Sequence, residues 1–572
     1  MKDVAGACPW TCDRPCLAEM FKQCAKVHKD AKCQSAGDGS PSFCYRNRAG
    51  TRKRRMKLDK KLEKASSYSQ AEKEALDACG ALGWREISWT EAEEIVSSLA
   101  AWLRSKGLER GDRICLFADT GAAWNLMFFA CAYAGVGVCV REPRMVLAES
   151  VQIVNTCEPK MVLVDAEDCG SLESALTTAG SELHASFPWV ASNGASVGVV
   201  GLDLDALVAE GKTAMAGDAE LGRCDGNPDD IAVLCTTSGT TGTPKAAMHS
   251  QEAFYHLGRY AEEMIRTQHG GHDGAPDWVG ERYGAHSVRP CFASVASPLL
   301  LHTRFSLTLA VALLQTAGYI SYCILIVIGV ATGLEGNFME QFELKKRLPE
   351  IKPICLMMLS DQAIALCQML RDTLDEVMGG FGTWAANKAS TKRSVESFSG
   401  GTAELPPKAG GRVARMCDSV VVSKVRAKFG GRVKVLGTGG AKVPDDTIRW
   451  MWGIGLPIYE MYASTEALAI CFNTPHAFKI GTPGVPAFHG APHADNPVTE
   501  LDIAEDGEIL IRGELVMKGY FNQPELTAEC LDEPADGQKY GWFHTGDIGI
   551  GSACTVVPED GGGGELDAAR VF

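Results

Sequence analysis

The sequence predicts an α/β fold: a large lobe of mostly parallel sheets covered by helices, followed by a β-rich lobe. Three observations carry the prediction. Between residues 84 and 165, apolar runs of strand length alternate with helical patterns, which implies right-handed crossovers onto a covered sheet. An apolar strand follows at Ile231–Cys235, and Val433–Leu436 and Pro457–Tyr462 also read as strands. After about residue 478 the pattern changes to period two, clearest in DGEILIRGELVMKGY, as expected of antiparallel strands.

The first 83 residues hold no such pattern and are expected to form a solvated extension. Six of the 22 cysteines fall in the first 44 residues, at Cys8, Cys12, Cys16, Cys24, Cys33 and Cys44. None has the C-x2-C spacing of a common zinc site. The start also lacks the basic cluster and apolar run of a secretory signal, so the cysteines are expected to be buried thiols. Residues 46–64, RNRAGTRKRRMKLDKKLEK, carry ten Lys or Arg and read as a solvated stretch or an anionic-surface patch.

Order is expected from Trp84. Thr90 and Glu93 form a capping box, and Ile95, Val96, Leu99, Ala100 and Leu103 repeat at helical spacing until Gly107. A strand at Ile114–Ala118, a helix at 122–134, a strand at 138–140, a helix at 147–155 and a strand at 161–165 follow. The thirty residues from Phe305 to Leu334 hold no charge. Their length suits a membrane span, but Gln315 and Gly318 interrupt it. A buried helix (304–317), a glycine turn and a buried strand (319–328) are expected instead. The boundaries are thus 84–477 for the α/β lobe, 478–557 for the β-rich part and 558–572 for a glycine-rich tail.

Composition narrows function by exclusion. Hydrophobic residues at 46% and charged residues at 22% fit a globular chain and exclude disorder, collagen and a multi-span membrane protein. A net charge of −15 repels phosphate backbones, so nucleic acid is not an expected partner.

The most informative stretch is IAVLCTTSGTTGTPKAAMHS, residues 231–250. An apolar strand empties into Thr, Ser and Gly residues and then Pro244-Lys245. Glycines let backbone N–H groups converge on an anion, hydroxyls add donors, and Lys245 adds a point charge. It is not a Walker A loop, because Pro244 precedes the lysine and Ala246 follows it.

This run resembles the phosphate-binding signature of the AMP-forming adenylate enzymes, which include acyl-CoA synthetases, peptide-synthetase adenylation domains and luciferases. VLGTGGAKVP (435–444) is similar to that family's adenine-binding turn, and YEMYASTE (459–466) to its Tyr-Gly-x-Thr-Glu loop, with Ala463 replacing the usual Gly. WFHTGDIG (542–549) is similar to its Thr-Gly-Asp motif, and KIGTPGVP (479–486) and LIRGELVMKGYFNQPELT (510–527) also fit. The resemblance spans about residues 84–557.

The resemblance implies an activity: a carboxylate attacks the α-phosphate of ATP, giving acyl-AMP and pyrophosphate, and a thiol, usually that of coenzyme A, displaces AMP. It implies that Thr237, Ser238, Gly239, Thr240, Thr241, Gly242 and Lys245 hold the β- and γ-phosphates. Thr465 would contact the α-phosphate, and Glu466 would hold Mg2+ through a hard oxygen. Asp547 would accept hydrogen bonds from the ribose hydroxyls, while Gly439, Gly440 and Ala441 flank adenine and Tyr462 stacks on it. His302 resembles the residue at the acyl-pocket entrance.

FGGRVKVLGTGGAKVPDDTIRWMW (429–452) is most similar to long-chain fatty acyl-CoA synthetases. A medium- to long-chain fatty acid is therefore the expected substrate, with ATP, Mg2+ and coenzyme A as the other participants. The region Leu299–Leu314 is expected to line part of its tunnel. A cytoplasmic protein, or one attached peripherally to membranes, fits that reading. Only 25 residues follow Asp547, so the family's mobile C-terminal lid and its catalytic lysine are expected to be missing. Three readings follow: a shortened acyl-CoA synthetase, an acyl-adenylate former for a carrier-protein acceptor, or a non-catalytic ATP- or lipid-binding protein.

Overall fold

The computed structural model describes residues 14–30, 43–45, 85–87, 89–118, 122–140, 147–164, 169–178, 199–237, 245–268, 308–310, 323, 327, 335–336, 355–378, 380–397, 412–429, 431, 433, 435–473, 478–486, 499–550, 552–554 and 569–571. A short antiparallel pair, β1 (Phe43–Tyr45) and β2 (Arg85–Ile87), precedes the main lobe.

Among the described residues six strands form the first sheet: β3 (Arg113–Leu116), β4 (Gly137–Val140), β5 (Met161–Val164), β6 (Val199–Gly201), β7 (Ile231–Thr237) and β8 (Lys245–Ser250). Their order is β6-β5-β3-β4-β7-β8, parallel throughout except for the antiparallel β7–β8 pair at the edge. Successive strand residues feed opposite faces, as the pleat requires. Ile114, Leu116, Val138, Val140, Met161 and Leu163 enter one core with Trp124, Phe128 and Phe129 of the helix Ala122–Ala134. Cys115, Cys139, Val162 and Val164 enter the other, against Ile153 and Cys157 of the helix Leu147–Cys157. Both faces are covered, which explains why the central strands lack a period-two alternation of apolar and polar residues.

Among the described residues the second sheet has seven strands: β9 (Thr308–Ala310), β10 (Glu335–Gly336), β11 (Cys355–Leu359), β12 (Val435–Gly439), β13 (Ile458–Tyr462), β14 (Cys471–Phe472) and β15 (Val485–Pro486). It runs β10-β9-β11-β12-β13-β14-β15, parallel as far as β13 and antiparallel beyond. Its core includes Leu436, Ile458, Trp450, Trp452 and Phe478. A three-stranded antiparallel sheet follows, from β16 (Thr499–Ile503), β17 (Glu508–Gly513) and β18 (Phe543–Ile548). Buried Ile509 and Ile511 alternate with more exposed neighbours on β17, the pattern read from the sequence.

Three expectations need correction. Residues 1–83 are not all solvated extension, because Leu17–Asp30 is a helix. Its Leu17, Met20, Phe21 and Cys24 are fully buried in the first core, with Phe21 stacked on Phe129 at 4.3 Å between ring centroids. The expected helix at 304–317 contains a strand at Thr308–Ala310, while buried Cys323 and Val327 are helical where a strand was expected. An uncharged run gives no period to separate the two states. Within the supposed tail, β20 (Ala569–Val571) pairs antiparallel with β19 (Ser552–Cys554). Among the described residues no helix is long and apolar enough to cross a membrane.

Cysteines with described side chains are free thiols, most of them buried. Burial pushes thiols such as Cys139 well above their ordinary range, so they behave as small apolar side chains.

Candidate active site

Thr237 ends β7 and pairs with Lys245, the first residue of β8, so residues 238–244 connect two antiparallel strands at the sheet edge. Ser238, Gly239, Thr240, Thr241 and Gly242 lie outside the described residues, as does His302. Lys245 is described, and its ammonium sits 5.4 Å from the centroid of the Tyr520 ring.

Tyr520 reaches that position because residues 517–521 continue the sheet beyond β8. Met248 N–H donates to Gly519 O at 3.0 Å, Lys518 N–H to Met248 O at 2.8 Å and Phe521 N–H to Ala246 O at 2.9 Å. Gly519 is required there. Its φ is +124°, and a Cβ would stand 2.7 Å from Thr527 Cγ2. The Tyr520 hydroxyl donates to Glu466 Oε1 at 3.0 Å, and Met517 N–H donates to Glu466 O at 2.7 Å. Burial, with the Glu466 charge beside it, pushes the Tyr520 phenol up, so it stays a neutral donor.

Thr465 is held from the same strand. His249, on β8 and fully buried, lies with Nε2 at 2.6 Å from Thr465 O. A carbonyl only accepts, so Nε2 carries the proton. Burial lowers this imidazole's pKa to about 4, which keeps it neutral.

Parallel pairing in the second sheet aligns the other motifs. Leu359 pairs with Gly439 across β11–β12, and Thr438 with Glu460 across β12–β13. Gly439, Gly440 and Ala441 therefore turn at the C-terminal end of β12, beside the residues that lead from β13 to Thr465 and Glu466. Gly440 has φ +91°, a left-handed conformation that other residues resist. The Ser360 hydroxyl sits against the carbonyls of Gly439, at 3.0 Å, and Ala441. Buried Glu460 braces the following residues by accepting Val443 N–H at 3.2 Å. Desolvation raises its pKa.

From the β-rich sheet, Asp547 of β18 meets Tyr462 of β13: the Tyr462 hydroxyl donates to Asp547 Oδ2 at 2.5 Å. The turn before Asp547 is clamped by Glu508. Its Oε1 accepts Gly546 N–H at 2.8 Å, while Oε2 lies 3.0 Å from His544 Nδ1. That contact with Glu508 raises the His544 pKa.

The arrangement joins an ammonium, two carboxylates and a glycine turn at the carboxyl ends of parallel strands, where open α/β sheets bind ligands. Lys245, Thr465, Glu466, Tyr462 and Asp547 come together there with the 439–441 turn. Four residues that shape the site were not singled out from the sequence: His249, Tyr520, Ser360 and Glu508. His249 and Tyr520 lay inside quoted motifs, but nothing local marks them, since their partners are 216 and 54 residues away.

Fold and site define an α/β protein that gathers an ammonium, two carboxylates and a glycine turn. The chain belongs to the AMP-binding enzyme family, whose model matches residues 63–288 and 372–521. It is 25% identical over 483 residues to the long-chain-fatty-acid–CoA ligase FadD15 of Mycobacterium bovis, covering 84% of this chain and 68% of that one. It is 25% identical over 498 residues to long-chain-fatty-acid–CoA ligase 1 of Cavia porcellus, covering 81% and 60% respectively. The chain thus spans about three-fifths to two-thirds of these relatives' length.

Solved structures share the fold at lower identity. The adenylation domain of a carboxylate reductase from Mycobacterium chelonae has TM-score 0.54 and 16% identity, covering 93% of this chain and 69% of that one. ATP-bound MatB from Rhodopseudomonas palustris has TM-score 0.52 and 18% identity, covering 86% and 74%.

Proposed function

We propose that the chain activates a medium- to long-chain fatty acid with ATP as acyl-AMP and passes the acyl group to coenzyme A. One observation carries the reading. Lys245, Glu466 and Asp547 come from three separate segments; Tyr520 contacts the first two, and Tyr462, four residues before Glu466, holds Asp547. In the first step a carboxylate oxygen attacks the α-phosphorus, and the bond to the bridging oxygen breaks with release of pyrophosphate. In the second, a thiolate attacks the acyl carbon and AMP leaves with the electron pair of the mixed-anhydride bond.

The first step brings two anions together, so the site must offset negative charge. Lys245 and the glycine–threonine turn take the β- and γ-phosphates in this reading, and Asp547 takes the ribose. Glu466 suits Mg2+, since a carboxylate is a hard donor and the Tyr520 hydroxyl engages its Oε1. When bound, the ion would act as a Lewis acid on the phosphate oxygens. The choice of a fatty acid rests on the likeness to long-chain-fatty-acid–CoA ligases.

Pyrophosphate release, measured over acids of increasing chain length with and without coenzyme A, tests the reading. Release with fatty acids and thioester formation support it. Release without thioester points to another acyl acceptor. No release with any acid, alongside ATP binding by calorimetry, removes the enzymatic reading.

A further inference from the structure

Lys245 and Glu466 carry opposite charge and flank one aromatic ring, yet they form no direct ion pair. The ring between them is Tyr520. Its face lies against the Lys245 ammonium at 5.4 Å, and its hydroxyl donates to Glu466 Oε1 at 3.0 Å.

The ring is fixed from several directions. Its backbone bridges to Ala247 on β8, and its N–H donates to Thr527 Oγ1 at 2.9 Å. The flanking amides complete a ladder with Ala246 and Met248. Tyr520 is buried. The hydroxyl of this fixed ring tethers the Glu466 carboxylate while its face engages the Lys245 ammonium, so each charge is held by Tyr520 rather than by the other.

We propose that Tyr520 is a positioning residue that keeps Lys245 and Glu466 apart, so that a phosphate-bearing ligand meets an open ammonium and an open carboxylate. The physical basis is the strength of the contacts a ligand must replace. An ammonium–carboxylate pair is charge-assisted at both ends. Contact with a ring face, or with a neutral hydroxyl, is weaker and easier to exchange for a phosphate or a cation. The inference rests on the phosphate and metal roles proposed above for Lys245 and Glu466.

Two substitutions separate the ring's parts. Tyr520→Phe keeps the face beside Lys245 and removes the hydroxyl that restrains Glu466, whereas Tyr520→Leu removes both. The first readout needs no ligand. The full chain is labelled by reductive 13C-dimethylation, the Lys245 resonance is assigned with Lys245→Arg, and its proton affinity is titrated by NMR.

Release of Glu466 toward the ammonium should raise that affinity about tenfold in Tyr520→Phe. The rise should vanish in the Tyr520→Phe/Glu466→Gln double variant. Calorimetry with ATP and Mg2+ should show about tenfold weaker binding in Tyr520→Phe, with a thermal midpoint close to the parent's. An unchanged Lys245 titration overturns the role of Tyr520, and so does a drop in midpoint with no change in that titration. Failure of the parent chain to bind ATP removes the phosphate-site reading instead, and the ligand-free titration still decides the role of Tyr520.

Discussion

A neutral imidazole buried beneath the Thr465 loop has a pH signature. His249 titrates at about 4 in the folded chain against 6.5 when free. Between those values the unfolded chain binds more protons, so stability falls as pH falls through this window. The full difference is on the order of 3 kcal/mol. Urea midpoints recorded from pH 7 to pH 4 should fall less steeply in His249→Leu than in the parent, and equal slopes would refute the assignment. At Lys245 the effect should be on chemistry. Lys245→Met should lower kcat/KM for ATP in pyrophosphate release about a hundredfold, the scale of losing one group that stabilises developing charge. A loss of less than twofold would place the phosphates elsewhere.

At the scale of the element, the Thr-Gly-Asp turn depends on one side chain of the neighbouring strand. Glu508 on β17 accepts the Gly546 amide and faces His544, both on β18. Glu508→Ala should loosen the turn that carries Asp547 and weaken ATP binding about tenfold by calorimetry. Glu508→Gln, which retains an acceptor for Gly546, should recover most of that loss. Equal weakening by both variants would show that the charge, not the clamp, matters. This dependence also shows what the sequence could reveal. Strands β3, β4 and β5 were legible because burial on both faces leaves apolar residues in them after Arg113, which opens β3. Lys245 and Asp547 were legible because each sits in a short run whose composition is unusual. The partners of Glu508, Tyr520 and His249 were not, because a register across strands far apart in the chain leaves no local mark. The 305–334 run failed for another reason: apolar residues without a period fit helix and strand alike.

At the scale of the molecule, the helix Leu17–Asp30 decides whether the first lobe closes. Leu17, Ala18, Met20, Phe21, Cys24 and Ala25 form one face at helical spacing, all buried. Phe21 also lies 6.1 Å from the ring of Trp89. The helix is fastened at its start as well. Ala18 N–H donates to Gln251 Oε1 at 3.1 Å, Gln251 Nε2 donates to Ala132 O at 2.9 Å, and the Arg14 guanidinium donates to Gly226 O at 3.0 Å. Burying Leu17, Met20 and Phe21 contributes roughly 1.5–3 kcal/mol each. Their sum rivals the ~5–15 kcal/mol net stability of an ordinary domain. Removing residues 1–30 should therefore abolish a cooperative thermal transition and leave an aggregating chain, although no described residue among them belongs to the site. Phe21→Ala, a milder change, should cost about 3–5 kcal/mol and lower the melting temperature without moving the KM for ATP. A truncated chain that melts at the parent's temperature would show that the first core closes without this helix, and residues 14–30 would then be an ornament on a lobe complete from Trp89 onward.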